Sequence, residues 1–254
     1  MKNIAVLILC CISTFLFSQE KETESIGSIS TDRPDQTETP DVVPFKYFQM
    51  EMGFNVESQH KELSFVHPTI LWKAGIFKST EIRLITDIST HKDSTGKYRS
   101  GLSPVQIGFK TAICEEKKAR PKISFIAHMA VPYISTKNQR TNYFAPNFRF
   151  TLEHTLKKNL ILGYNVGMEW DGESPYPSFI YTIVNGVDIT DKWYFYYEFF
   201  GDIPVDRKST HTFDGGFAYL IKNNMQIDIS GGFQLHPFVK GWYTSIGYSF
   251  RVPR

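Results

Sequence analysis

Apolar and polar residues alternate along most of this chain. Between Pro44 and Phe250, segment after segment repeats the pattern, and none carries a helical period. Phe48, Met50, Met52, Phe54 and Val56 share one parity. Tyr47, Gln49, Glu51, Gly53 and Asn55 take the other. Alternate side chains of a strand point to opposite faces, so one face is apolar and the other carries a carboxylate, amides and a glycine. Strands are predicted near residues 45–57, 62–73, 80–90, 103–114, 122–134, 143–155, 159–170, 178–186, 192–200, 210–221, 224–235 and 241–250. Many reach the roughly 9–11 residues that a tilted strand needs to cross a bilayer. The pattern predicts an all-β fold, a transmembrane antiparallel up-and-down β-barrel of about 12 strands with an N-terminal periplasmic arm.

Three stripes carry the outward face: Ile123, Phe125, Ala127, Met129 and Val131; Leu160, Leu162, Tyr164, Val166, Met168 and Trp170; and Met225, Ile227, Ile229 and Phe233. Trp170, Trp193 and Trp242 fall at predicted strand ends, where interfacial aromatic girdles belong. The facing of the second strand stays open. Leu63, Phe65 and Leu71 share one parity, and Val66, Ile70 and Trp72 the other. The connections alternate in length, as barrel turns and loops do, except that the loop near 58–61 is short. With the first strand running outward, the periplasmic turns are 74–79, 115–120, 157–158, 187–191 and 222–223. The outer loops include 91–102, 135–142, 171–177 and 201–209. Trp242, Ile246, Tyr248 and Phe250 share a face of the last strand, which resembles the signal read by barrel-assembly machinery.

Composition adds export. Residues 1–18 read as a signal peptide: Lys2 is the basic start, an apolar run from Ile4 to Phe17 follows, and Ser18 precedes Gln19. Cys10 and Cys11 raise a lipoprotein reading, weakened because Leu9 stands where a small residue is expected. Beyond them Cys114 is the only cysteine, so the mature chain has no internal disulfide. Residues 19–43 form a polar periplasmic arm and residues 44–254 the outer-membrane barrel. A net charge of +2 with scattered charges argues for no nucleic-acid partner. The partners expected are outer-membrane lipid, a small-molecule solute and, during biogenesis, the assembly machinery. No cofactor or metal is expected.

The inward parity collects charge: Glu51, Glu81, Arg83, Asp87, Lys110, Arg149, Glu153, Glu169, Glu198, Asp214 and Asp228. These are the candidates for lining a lumen. They either set its selectivity or pair across it and brace the wall, and the excess of acids mildly favours cations. Catalytic geometry is poor. Ser124 and His128 share a face but lie about 13 Å apart along one strand. His211 and Asp214 have opposite parity. His67, His154 and His236 lack ligand spacing.

The run from Ser30 to Pro40, with Thr31-Asp32-Arg33-Pro34-Asp35 at its centre, precedes Gln49-Met50-Glu51-Met52-Gly53-Phe54. This stretch resembles the start of the family named for the MetA pathway of phenol degradation. The resemblance implies a barrel that imports small, often hydrophobic or aromatic molecules. It brings no catalytic or binding residues, and it does not make phenol the substrate. Asp32, Arg33, Asp35 and Glu38 are the arm candidates. They either pair with lumen charges as a plug or belong to a solvated leader. The expected function is a passive outer-membrane channel for small solutes and not an enzyme. The alternative is a non-conducting barrel with a structural or surface-binding role, with the loop from His91 to Ser100 as its surface.

Overall fold

The computed structural model describes residues 26–59, 62–92, 95–235 and 241–254. The signal-peptide and lipoprotein readings, residues 19–25 of the arm and His236 lie outside the described residues. So do Asp93 and Ser94 of the candidate surface loop. The strands are β1 (Tyr47–Gln59), β2 (Glu62–Phe77), β3 (Thr80–Lys92), β4 (Tyr98–Leu102), β5 (Val105–Cys114), β6 (Lys122–Val131), β7 (Ala145–Lys157), β8 (Leu160–Glu169), β9 (Ser178–Asp188), β10 (Trp193–Pro204), β11 (Thr210–Lys222), β12 (Met225–Gln234) and β13 (Trp242–Pro253).

Neighbours in sequence pair antiparallel, β13 pairs with β1, and β2 pairs with β3 while β5 takes the other side of β3. The sheet therefore closes into a twelve-stranded up-and-down barrel, and closure leaves no edge with unpaired backbone groups. Of the described strands, β4 alone stands outside the ring. It pairs with the end of β3, Ile88↔Leu102 to Lys92↔Tyr98, as a hairpin above the long-loop rim. The sequence predicts an outer loop over 91–102. Its polar sequence, Tyr98-Arg99-Ser100-Gly101-Leu102, carries no alternation, and it is held through its backbone and by Thr90 Oγ1 to Ser100 Oγ at 2.5 Å.

Strand two resolves through a bulge. The β2–β3 register jumps between Val66 and Thr69, and the β1–β2 register jumps between Gly53 and Asn55. One extra residue on a strand exchanges its two faces. Phe65, before the jump, packs outside against Tyr98 at 6.2 Å. After it, Trp72 is outside and donates to Thr86 Oγ1 at 3.1 Å, while Lys73 turns into the lumen. Neither parity could have fitted the whole strand.

The outer surface is apolar and uncovered. Phe54, Ile82, Ile107, Phe109, Phe150, Ile183, Phe199, Phe217, Ile229 and Ile246 are all at least 40% exposed and circle the barrel. In water such a belt would be an aggregation surface; in a bilayer it is solvated. Trp193 begins β10 at the short-turn rim, with its ring 4.8 Å from Tyr219. Trp170 and Trp242 sit at the opposite rim. The inner face is the reverse, with Gln49, Glu51, Lys73, Glu81, Arg83, Lys110, Thr151, Asn165 and Glu198 buried. A barrel of twelve strands is too wide for its own side chains to fill. The residues before β1 occupy that space.

Candidate functional site

Residues 26–44 enter the barrel at the short-turn rim, cross the lumen and return to the same rim before β1. Arg251 donates to the Gly27 carbonyl at 2.5 Å, and the Ile29 amide donates to the Asn223 carbonyl in the β11–β12 turn at 2.7 Å. On the return, Lys122 bonds Asp41 at 2.5 Å, and the Val43 amide donates to Glu81 Oε2 at 2.5 Å. Between these points the segment has no regular structure of its own, because Pro34 and Pro40 cannot donate. Its buried backbone groups must be met by the wall.

Asp32 is the deepest anchor. Its carboxylate accepts from Lys73 Nζ at 2.9 Å, Arg83 Nη1 at 2.9 Å and Lys110 Nζ at 2.6 Å, so three cations from three strands converge on one acid. Its amide donates to Glu51 Oε2 at 2.9 Å, and Lys73 also pairs with Glu51. Burial alone would raise the Asp32 carboxyl. Lys110, Lys73 and Arg83 overcome it and hold the group well below the usual carboxylate range. Arg83 reaches on to Glu38 Oε2 at 2.6 Å and Glu81 Oε1 at 3.2 Å. Burial opposes ionisation of Glu38 too, and Arg83 keeps it below its ordinary value.

Arg33 points the other way. It holds Asp228 Oδ1 at 2.9 Å and Ser245 Oγ at 2.7 Å. The guanidinium lies over Gly53 and Gly247, which face each other across the β1–β13 closure. A Cβ on either glycine would collide with it. The next turn caps Glu198: the Gln36 amide donates to it at 2.5 Å, the Thr37 amide at 3.1 Å and the Thr37 hydroxyl at 2.7 Å. Asn165 then clamps Glu38, accepting from its amide at 2.8 Å and donating to its carbonyl at 3.0 Å.

Asp35 has no ion pair among the described residues. It faces Glu198 and Asp214, which are register partners on β10 and β11. Burial, and then the neighbouring Glu198 and Asp214, push the Asp35 carboxyl well above its ordinary value. Asp214 accepts from Tyr196 at 3.2 Å and from Tyr243, and its Oδ1 is buried without a partner. Two cavities flank the arm. One of about 520 Å³ opens towards the long loops and is lined by Asn55, Ser64, Thr69, Phe200, Thr212 and Tyr243, among others. The other, of about 670 Å³, lies on the short-turn side against Ile161, Val184, Tyr194 and Ala218. Arg33, Asp35 and Glu38 line both, so a single layer of arm residues separates them.

All eleven lumen candidates lie on inward-facing positions, but they do not form one cluster. Glu51, Glu81, Arg83 and Lys110 gather round Asp32, and Asp228 takes Arg33. Glu198 takes the Gln36–Thr37 turn, with Asp214 beside it. Arg149 sits between Glu38 and Glu169 at 3.9 Å from each. Glu153 is the register partner of Lys122 near the short-turn rim. Asp87 lies far up β3 opposite Thr69, with Oδ1 unpartnered. Lys73, Lys122, Asp41, Asn165 and Gly247 also hold the arm and escaped the sequence reading. Lys73 was hidden by the bulge, while Lys122 and Asp41 sit at element ends where parity carries little weight.

The hydrolase constellations do not assemble. Ser124 donates to the Pro40 carbonyl. His128 accepts from Arg83 Nε at 3.0 Å, and its Nδ1 faces Asn147 Oδ1 at 3.2 Å. His211 turns outward to Tyr181 at 2.8 Å, away from Asp214. His67 bonds Thr90 at 2.8 Å, and His154 sits near Tyr164 at 3.4 Å. Among the described residues no group of three or more His, Cys, Asp or Glu side chains is arranged to hold a metal.

The family model described as "Putative MetA-pathway of phenol degradation" matches residues 31–252, and the chain belongs to that family. The match begins at Thr31, so it takes in most of the arm together with the barrel. Among solved structures, the chain resembles the COG4313 outer membrane channel from Pseudomonas putida F1, with a TM-score of 0.65 and 8% identity over 83% of this chain and 97% of that one. It also resembles the NanC porin (TM-score 0.57, 10% identity, 78% and 98% covered) and the KdgM porin (0.57, 6%, 79% and 98%). At these identities the likeness is one of fold. No curated protein matches the chain.

Proposed function

We propose that this member of the family is a passive channel in the outer membrane of a Gram-negative bacterium. It passes small hydrophobic or aromatic solutes, and the arm forms its constriction. One observation carries the reading: two cavities open along one barrel axis, and the arm lies between them, with Arg33, Asp35 and Glu38 lining both. The apolar belt places the strands in a bilayer, and the short turns mark the periplasmic rim. The names of the similar structures, an outer membrane channel and two porins, support passage of solutes. The family's description supports an aromatic cargo. In this reading the lumen acids and bases set selectivity, no residue acts as a catalyst, and the assembly machinery receives the aromatic last strand.

The test is conductance of the refolded mature chain in a planar bilayer, compared with the Asp32→Ala/Arg33→Ala double variant. Discrete openings that widen in the variant are expected. Equal conductance would remove the constriction role. Silence from both folded barrels would transfer the function to the outer face, where the β3–β4 hairpin stands proud of the rim.

A further inference from the structure

The lumen is electrically lopsided. Its inward cations on the barrel strands before β8 are Lys73, Arg83, Lys110, Lys122 and Arg149, one each on β2, β3, β5, β6 and β7. Every one is engaged by acids: the first three by Asp32, Lys122 by Asp41, and Arg149 by Glu38 and Glu169. The inward positions of β8 to β12 carry no lysine or arginine; beyond them, on β13, Arg251 sits at the short-turn rim and donates to the Gly27 carbonyl. Those of β8 to β12 carry Glu169, Asp188, Glu198, Asp202, Asp214 and Asp228, of which Arg33 answers Asp228 and Arg149 lies 3.9 Å from Glu169. The dividing layer repeats the contrast. Arg33 is locked to Asp228, and Glu38 is held by Arg83 and Asn165. Asp35 has neither restraint, yet it borders both cavities.

We infer that solute crosses the arm beside Asp35, along the acidic wall of Glu198 and Asp214, and that this passage selects small cations, organic ammonium ions included, over anions. This rests on the channel reading above and adds the charge class it transmits. The opposite side of the arm is closed by the three-cation knot on Asp32, whose charges already answer one another. Asp214 Oδ1 supports the placement: it is buried beside Glu198 with no donor on it, so this wall presents carboxyl oxygens and no cation. Only a short step is needed. A carboxylate about 7 Å from the path interacts with a unit charge by about RT even in a water-like dielectric, which enriches cation over anion roughly sevenfold.

The groups facing Asp35 are Asp32 on the arm, Tyr194, Tyr196 and Glu198 on β10, and Asp214 on β11. Carboxyl charge is therefore fullest on the alkaline side of neutrality, and the measurement belongs there. Reversal potential is recorded across a KCl gradient for the wild-type chain and for Asp35→Asn, Asp35→Glu and Asp214→Asn. The expected result is a wild-type K⁺/Cl⁻ permeability ratio of roughly 5 or more that falls severalfold in Asp35→Asn and is retained in Asp35→Glu. A variant that merely loosens the arm would raise conductance in both substitutions without this split. A conducting wild-type channel with no preference for K⁺ overturns the inference and leaves the channel reading intact. So does a preference untouched by both Asp35→Asn and Asp214→Asn. Absence of any conductance overturns the channel reading, and the inference with it.

Discussion

Replacing Asp32 with asparagine keeps the shape of the arm and removes the charge that three cations share. In the variant Lys73 still has Glu51, and Arg83 still has Glu38 and Glu81. Lys110 is left with one acceptor, the Thr39 carbonyl at 2.9 Å, in a fully buried position. Stripping one partner from a buried charge network costs about 3–5 kcal/mol. The barrel wall is held by its own strand ladder, and Lys110 rehydrates once the arm leaves. The cost therefore falls on the docked arm rather than on the fold. At 1.4 kcal/mol per decade, the docking equilibrium shifts roughly 10²- to several 10³-fold towards release. The probe is a Thr37→Cys reporter in a Cys114→Ser background, since Thr37 is buried against Glu198 when docked. Its modification by a membrane-impermeant maleimide should accelerate at least about a hundredfold on adding Asp32→Asn. Rates agreeing within about threefold would mean that the three-cation knot does not hold the arm, and the reasoning would fail.

Other outcomes follow from the same geometry. Gly247→Val puts a side chain into the Arg33–Asp228 pair, so docking should weaken by about 1.5–3 kcal/mol, read as larger conductance from a barrel that still folds. Ile229→Arg places a charge on the lipid face and should cost about 2–4 kcal/mol of folding stability in urea titrations with vesicles. Docking should also depend on pH from two sides. Asp32 is depressed when docked, so its contribution is present above the ordinary value of 3.8 and is lost as pH falls below it. Asp35 is raised when docked, so its contribution is full below 3.8 and is lost as pH rises through the docked value. Conductance against pH should therefore be smallest between these limbs, and Asp35→Asn should flatten the alkaline limb.

Period-two patterning made the barrel legible because lipid and lumen impose opposite demands on neighbouring residues. Ile123 to Val131 and Leu160 to Trp170 point outward as their parity requires. The same logic found Glu51, Arg83, Lys110 and Glu198, since an inward acid or base is conspicuous between apolar neighbours. It failed where the period breaks. The bulge between Val66 and Thr69 concealed Lys73, and β4 has no buried face to pattern its residues. Pairing was beyond reach for a different reason: Asp32 meets residues 41, 51 and 78 positions away, and Arg33 meets one 195 away. Nothing local encodes such distances. The use of the facing glycines Gly53 and Gly247 as a slot for a guanidinium appears only once β1 lies against β13.

That slot ties the arm to the history of the chain. Half of it belongs to β1 and half to β13, near opposite ends of the sequence, and the acid it serves is on β12. Arg33 is therefore among the early residues to leave the ribosome and among the late ones to find a place. Its seat exists only when the ring has shut in the correct register. A slip of two residues would preserve the inside-outside pattern of every side chain and escape correction by the lipid. It would also part Gly53 from Gly247 and leave a charged side chain with nowhere to go. The arm thus inspects the seam of the barrel, rewarding the one alignment that hydrophobicity alone does not distinguish from its neighbours.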